Sequence, residues 1–247
     1  MCTLDAASDN TRYRCGVTGG NWRIARIGGV DILIGPSLLV MGVLLVFFFA
    51  PRFAGGGPLS GYQGATLFVL GLYVSVFLHE LAHLAAARGF GLQVRSITLH
   101  LLGGETAIAT PSRTPGQEFV ISVVGPVVSI ALGITCFLLD AGGAVVAALG
   151  WINVVIGVFN LLPGLPLDGG RALRAAIWQV SGRPDAGSRV AAWAGRLIAV
   201  ALVAVTLLRV DYGGPTWSVD VALALLVAWF LWEGAGHALD QSTGRAA

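Results

Sequence analysis

The sequence contains no lysine: its basic side chains are 15 arginines. Charge of either sign is scarce, at 11% of the 247 residues, where soluble globular domains carry about 25%. A chain this poor in charge cannot cover a globular surface with solvated groups, so it reads as a polytopic membrane protein. The net charge is only +2 and no basic stripe exists, which excludes a nucleic-acid partner. Cysteine is nearly missing too. Cys2, Cys15 and Cys136 are odd in number and unpaired in spacing, which excludes a disulfide framework and a cysteine zinc site. Cys136 lies in an apolar run and is expected in the core. No cleavable signal is seen, because the first 31 residues are polar and mixed in charge and the first apolar run starts at Ile32. Residues 1–20 are expected to be flexible.

Apolar and small residues fill the rest. Hydrophobic residues make up 55%, mean hydropathy is +0.79, and glycine numbers 35. Glycine at this level suits close helix packing in a membrane. Six apolar runs predict spans over about 36–50, 64–87, 117–139, 144–162, 188–208 and 217–236. Pro51 and the glycines at 55–57 are expected to end the first. Gly125-Pro126 is expected to kink the third. Partial alternation over 22–34 predicts a hairpin. Residues 94–99 predict a strand, 102–104 a turn, and 105–109 a segment pairing back. A short amphipathic helix is expected from Arg171 to Val180. The fold class is therefore all-α polytopic membrane protein: six transmembrane helices with short membrane-associated β hairpins and strands. The six-span domain covers 21–236, and 237–247 is a short tail.

Arginine placement sets an orientation. Arg12, Arg14, Arg23 and Arg26 precede span one, and Arg88, Arg95 and Arg113 follow span two. Arg171, Arg174, Arg183, Arg189 and Arg196 cluster after span four, with Arg245 in the tail. Arg52 and Arg209 lie opposite. Positive charge favours the cytoplasm, so the chain is expected in the cell membrane with both termini cytoplasmic.

The second span carries the chemistry. His79-Glu80-Leu81-Ala82-His83 is an H-E-x-x-H sequence, which on a helix puts two imidazoles on one face and a carboxylate beside them. Across 64–87 the only acidic or basic residue besides the histidines is Glu80. His79 precedes Arg88 by nine residues, roughly 13 Å of helix. An ionisable cluster at that depth points to a functional site. His79 and His83 are candidate zinc ligands, and Glu80 is a candidate general base. A zinc enzyme of this kind needs one more ligand and an open position. Asp168 follows two prolines and opens a helix, so it is either that third ligand or a helix cap. Asn160 and Asn153 either hydrogen-bond between helices or approach the site. Ser129, one turn past Gly125, either approaches the site or, as the reading favours, stays away from it. His237, four residues after Glu233, predicts a local pair.

Two stretches together make the chain resemble the site-2 protease family of intramembrane zinc metalloproteases. One is the HELAH sequence. The other is Asn160-Leu-Leu-Pro163-Gly-Leu-Pro166-Leu-Asp168-Gly169, which fits the family's N-x-x-P-x-x-x-x-D-G stretch without a gap. The resemblance runs over roughly 22–236. It implies that His79, His83 and Asp168 hold one Zn2+ per chain, that Glu80 is the catalytic carboxylate, and that Asn160 assists substrate or transition state. It implies hydrolysis in or near transmembrane segments of a single-pass protein, such as an anti-sigma factor already clipped outside. The six-span layout resembles the branch that carries CBS domains, here expected without them because the sequence stops shortly after span six. The alternatives are a membrane metallopeptidase for soluble or lipidated peptides, a metal transporter, and a non-catalytic zinc-binding protein. The oligomeric state is not set by the sequence.

Overall fold

The computed structural model describes residues 21–27, 29–55, 60–100, 103–108, 111–139, 143–212 and 217–242. The expected flexible segment 1–20, with Cys2 and Cys15, lies outside these residues, as do most of the 55–58 break and the end of the tail.

Among the described residues, seven helices and four strands follow one another as β1 (Trp22–Ile27), β2 (Val30–Ile34), α1 (Pro36–Phe53), α2 (Gly61–Gly89), β3 (Val94–His100), β4 (Gly103–Ile108), α3 (Pro115–Leu138), α4 (Gly143–Asn160), α5 (Asp168–Ser181), α6 (Pro184–Arg209) and α7 (Trp217–Ser242). Six of the helices are long and apolar enough to cross a membrane; α5 is the exception. Helix starts follow local chemistry. Ser60 caps α2 by accepting from the Gln63 amide while the Gln63 side chain accepts from the Ser60 amide. Thr114 caps α3 ahead of Pro115. Gly182 closes α5 at φ 69°, a left-handed conformation that costs glycine little.

Several boundaries differ from the sequence reading. Pro51 does not end span one: it sits in the last turn of α1, which continues to Phe53. Gly103 and Gly104 are not a turn. They pair with His100 and Leu99 as the first residues of β4. The expected hairpin forms, with Trp22 opposite Ile34, but it does not stand alone. Strand β2 pairs in parallel with β3, so four strands make one sheet in the order β1-β2-β3-β4. Cys136 is half-buried rather than core. Glu233 and His237 are both exposed, and no ion pair joins them among the described residues.

Small residues decide how closely the spans approach. A Cβ on Gly133 would meet Val154 Cγ2 at 2.6 Å, and one on Gly157 would meet the Pro126 carbonyl at 2.8 Å. Helices α3 and α4 therefore pack backbone to backbone, the close approach that glycine permits inside a bilayer. Asn153, 2% exposed, donates to Ser75 Oγ at 3.0 Å and to the Leu149 carbonyl at 2.8 Å. It ties α4 to α2, the interhelical role expected of it. Along the chain α1 packs on α2, α2 on α3, α3 on both α4 and α5, α5 on α6, and α6 on α7. The chemistry lies where α2, α3 and the start of α5 meet.

Candidate metal centre

Helix α2 turns His79, Glu80 and His83 inward, and these are among its few polar side chains. They are 6%, 6% and 3% exposed. Their ligand atoms all lie within 4.8 Å of one another. The i, i+4 spacing brings the two Nε2 atoms to 3.1 Å.

Asp168 arrives from another part of the chain. The 161–167 loop folds back beneath α5, and the Leu165–Pro166 peptide in it is cis. The Leu165 amide donates to the Ala191 carbonyl of α6 at 2.9 Å. A Cβ on Gly170 would run into the Gly164 backbone, and one on Gly195 into the Leu165 carbonyl. Glycine at both places lets α5 and α6 close on the loop. Asp168 is the first residue of α5; the cap position belongs to Leu167. The cap alternative for Asp168 is thus replaced by a different geometry. Its Oδ2 points at the histidines, 3.1 Å from His79 Nε2 and 3.3 Å from His83 Nε2.

Three atoms therefore form a triangle with edges of 3.1, 3.1 and 3.3 Å. Zinc bonds of roughly 2.0–2.1 Å in tetrahedral geometry put neighbouring ligand atoms roughly 3.3 Å apart. The triangle has that size. Its hydrogen bonding also suits a cation. His83 Nδ1 lies 2.6 Å from the Ile121 carbonyl. A carbonyl only accepts, so Nδ1 carries the proton and neutral His83 presents a lone pair at Nε2. His79 Nδ1 lies 2.9 Å from Ser129 Oγ, a hydroxyl able to accept from it when Nε2 presents the lone pair. Two imidazole lone pairs and a carboxylate oxygen then converge in a buried place. Such a set repels itself unless a proton or a metal ion sits among its members. The residues fit one Zn2+. Two carboxylates are near enough to be the third ligand, Glu80 and Asp168. Asp168 makes the tighter set with the two Nε2 atoms.

Helix α3 contributes contacts that no motif announces. A Cβ on Gly125 would lie 2.8 Å from His79 Nε2 and closer still to His83 Nε2, so only glycine lets α3 face the imidazoles here. Ser129 reaches the site, against the favoured sequence reading, with Oγ 2.9 Å from His79 Nδ1. Glu118, buried in the first turn of α3, accepts from Arg174 of α5 at 2.8 Å, tying together the helices on either side of the triangle. The Glu118–Arg174 pair and the Ile121 carbonyl escape sequence reading, since neither partner marks the other. The Asn160 amide nitrogen donates to the Ile156 carbonyl of its own helix at 3.0 Å.

A six-span helical bundle with a buried His/His/carboxylate cluster defines a membrane metalloprotein, and the comparisons with known proteins narrow the class. The sequence profile of Peptidase family M50 matches residues 67–142 and 140–205. The chain is 34% identical over 233 residues to sll0528 of Synechocystis sp., covering 87% of this chain and 59% of that protein. It is 35% identical over 228 residues to Rip3 of Mycobacterium tuberculosis, covering 86% and 57%. Both names describe zinc metalloproteases. The solved site-2 protease from Methanocaldococcus jannaschii superposes with a TM-score of 0.63 at 25% identity, covering 89% of this chain and 95% of that one. The chain belongs to the M50, or site-2 protease, family of membrane zinc metalloproteases. It spans under three fifths of the length of sll0528 and Rip3.

Proposed function

We propose that the protein is a zinc-dependent intramembrane endopeptidase that hydrolyses peptide bonds in or near the transmembrane segment of a single-pass membrane protein. The observation that carries this is the 3.1–3.3 Å triangle of His79 Nε2, His83 Nε2 and Asp168 Oδ2 with Glu80 beside it, inside a helical bundle. Family membership supports it, as does the likeness to a solved site-2 protease.

In this reading His79, His83 and Asp168 hold the zinc, which when bound supplies a Lewis acid and lowers the pKa of water from 15.7 to about 7. Glu80 takes the proton of the attacking water and returns one to the leaving amine. Asn160 assists at the substrate carbonyl; its amide must then rotate away from Ile156. A helical substrate hides its carbonyls in i to i−4 bonds and unwinds before attack. The outer edge of β4 carries the backbone groups that can pair with the unwound segment, since β4 is bonded on one side only, to β3, among the described residues. The arginine distribution supports cytoplasmic termini. The six-span layout supports a place beside the members that carry CBS domains.

Two measurements on purified protein test the reading. Wild type should bind close to one zinc per chain. Asp168→Ala should lose most of it, and Glu80→Gln should keep zinc while losing cleavage of a transmembrane substrate. Full zinc in Asp168→Ala would remove the third ligand, and normal cleavage by Glu80→Gln would remove the base.

A further inference from the structure

Arg196 is out of place. The polar start of α6 ends at Arg189, and Arg196 lies seven residues further, roughly 10 Å along the helix. Its guanidinium rests between two indoles, 5.1 Å from the Trp193 ring centre and 4.8 Å from that of Trp232 on α7. Among the described residues no carboxylate pairs with it, and its Nε is buried without a hydrogen-bond partner. A cation at that depth normally faces an anion or a water-filled cavity. The two rings satisfy its faces, but the in-plane N–H groups need an acceptor.

An apolar groove of about 520 Å³ begins one turn beyond it, between α6 and α7. Ala199, Val203, Ala204 and Leu207 line one side, Ala228 and Trp232 the other. Trp232 thus borders both the groove and the arginine. From Ala199 to Leu207 the helix rises roughly 12 Å, so the groove runs lengthwise between the two helices. The groove is open along its length and its lining is apolar throughout, which suits a hydrocarbon chain. At its Arg196 end it meets a cation with no carboxylate partner among the described residues.

We propose that the α6–α7 groove binds one anionic phospholipid, with an acyl chain in the groove and the phosphate on the Arg196 guanidinium. A phosphate offers the pair of acceptors that this side chain takes, and the tilt of Cα–Cβ bonds toward the helix start carries the guanidinium toward the headgroup level. Charge complementarity separates this site from ordinary annular lipid, which would fill any apolar groove without regard to headgroup. The place matters, because these helices grip the loop that delivers Asp168. Gly195 of α6 lies against the Leu165 carbonyl, and Gly234 of α7 against the Pro166 ring. A lipid seated between α6 and α7 braces that grip.

The test is native mass spectrometry of the detergent-purified protein given equal amounts of phosphatidylglycerol and phosphatidylcholine with matched chains. Wild type should retain phosphatidylglycerol with about a fivefold preference. Arg196→Gln should bring the ratio close to one, while Arg189→Gln, nearer the end of the same helix, should leave it unchanged. Ala204→Phe should lower retention of both lipids by filling the groove. An unchanged preference in Arg196→Gln, or an equal fall in Arg189→Gln, overturns the proposal. A second measurement leaves the arginine intact. A diazirine-bearing residue in place of Leu207, irradiated in vesicles of the same two lipids, should gain the mass of a phospholipid. Attachment to protein alone would mean that a helix occupies the groove, and the proposal fails.

Discussion

His83 donates from Nδ1 to the backbone carbonyl of Ile121 at 2.6 Å. That bond fixes the tautomer of a histidine on α2 by means of α3, which places none of its own side chains in the triangle. The neighbouring hydrogen bond between His79 Nδ1 and Ser129 Oγ, at 2.9 Å, holds the second ring from the same helix. Helix α3 is therefore the template against which both imidazoles are packed.

Gly125→Ala puts a methyl group 2.8 Å from His79 Nε2 and closer to His83 Nε2. Both rings must turn, and the triangle opens. Zinc affinity should fall at least about tenfold, while the helical circular dichroism stays near wild type. Metal analysis after dialysis against a weak chelator reads the loss. Wild-type retention would show that the imidazoles do not face Gly125 when metal is bound.

Ser129→Ala removes the acceptor for His79 Nδ1 and frees the ring to rotate. Losing such a partner typically costs about 10- to 100-fold in metal affinity. A chelator competition titration should show a fall in that range, with near-wild-type cleavage once zinc is saturating. Unchanged affinity would make the contact incidental.

Glu118→Gln breaks the 2.8 Å charged bond to Arg174. Glu118 is buried and Arg174 about one-third exposed, so solvent offsets part of the loss. The variant should lose about 1–3 kcal/mol, seen as a lower midpoint of thermal unfolding in detergent. Because the pair joins α3 to α5, zinc should also leave faster. A lower midpoint with an unchanged zinc release rate would confine the pair to general stability.

Asn153→Val removes the bridge from α4 to Ser75 of α2. Interhelical hydrogen bonds in membranes are worth about 0.6 kcal/mol on average, at most about 1.7. Unfolding by denaturing detergent should show a loss of that size, with zinc content untouched. A drop in zinc content would place Asn153 closer to the chemistry than its contacts indicate.

Single-cysteine labelling in intact cells checks the orientation proposed from arginine placement. Positions 52–62 and 210–216 should react with an impermeant reagent from outside. Positions 90–115 and 171–187 should react only after permeabilisation. The reverse pattern would overturn the orientation and leave the metal centre as it stands.

The six spans were legible because a bilayer demands long uninterrupted apolar runs, and such runs are written locally. The HELAH sequence was legible for the same kind of reason. Helical periodicity alone puts His79 and His83 on one face, and the uncharged surroundings make each ionisable residue conspicuous. The sheet was half legible. Each hairpin is a local event, whereas the parallel pairing of β2 with β3 joins strands separated by two transmembrane helices, and no local pattern encodes it. Asp168 shows the boundary most plainly. Its sequence neighbours say that a helix begins there, which fits a capping residue and a metal ligand equally well. The distances of 3.1 and 3.3 Å to two imidazoles about ninety residues earlier exist only because the 161–167 loop is folded under α5 and gripped by α6 and α7. The same holds for Gly125, whose missing side chain acquires a meaning only when another helix lies against it. The sequence determined what each segment can be by itself; tertiary packing decided which lone pairs meet, because that depends on distances between segments the chain does not connect.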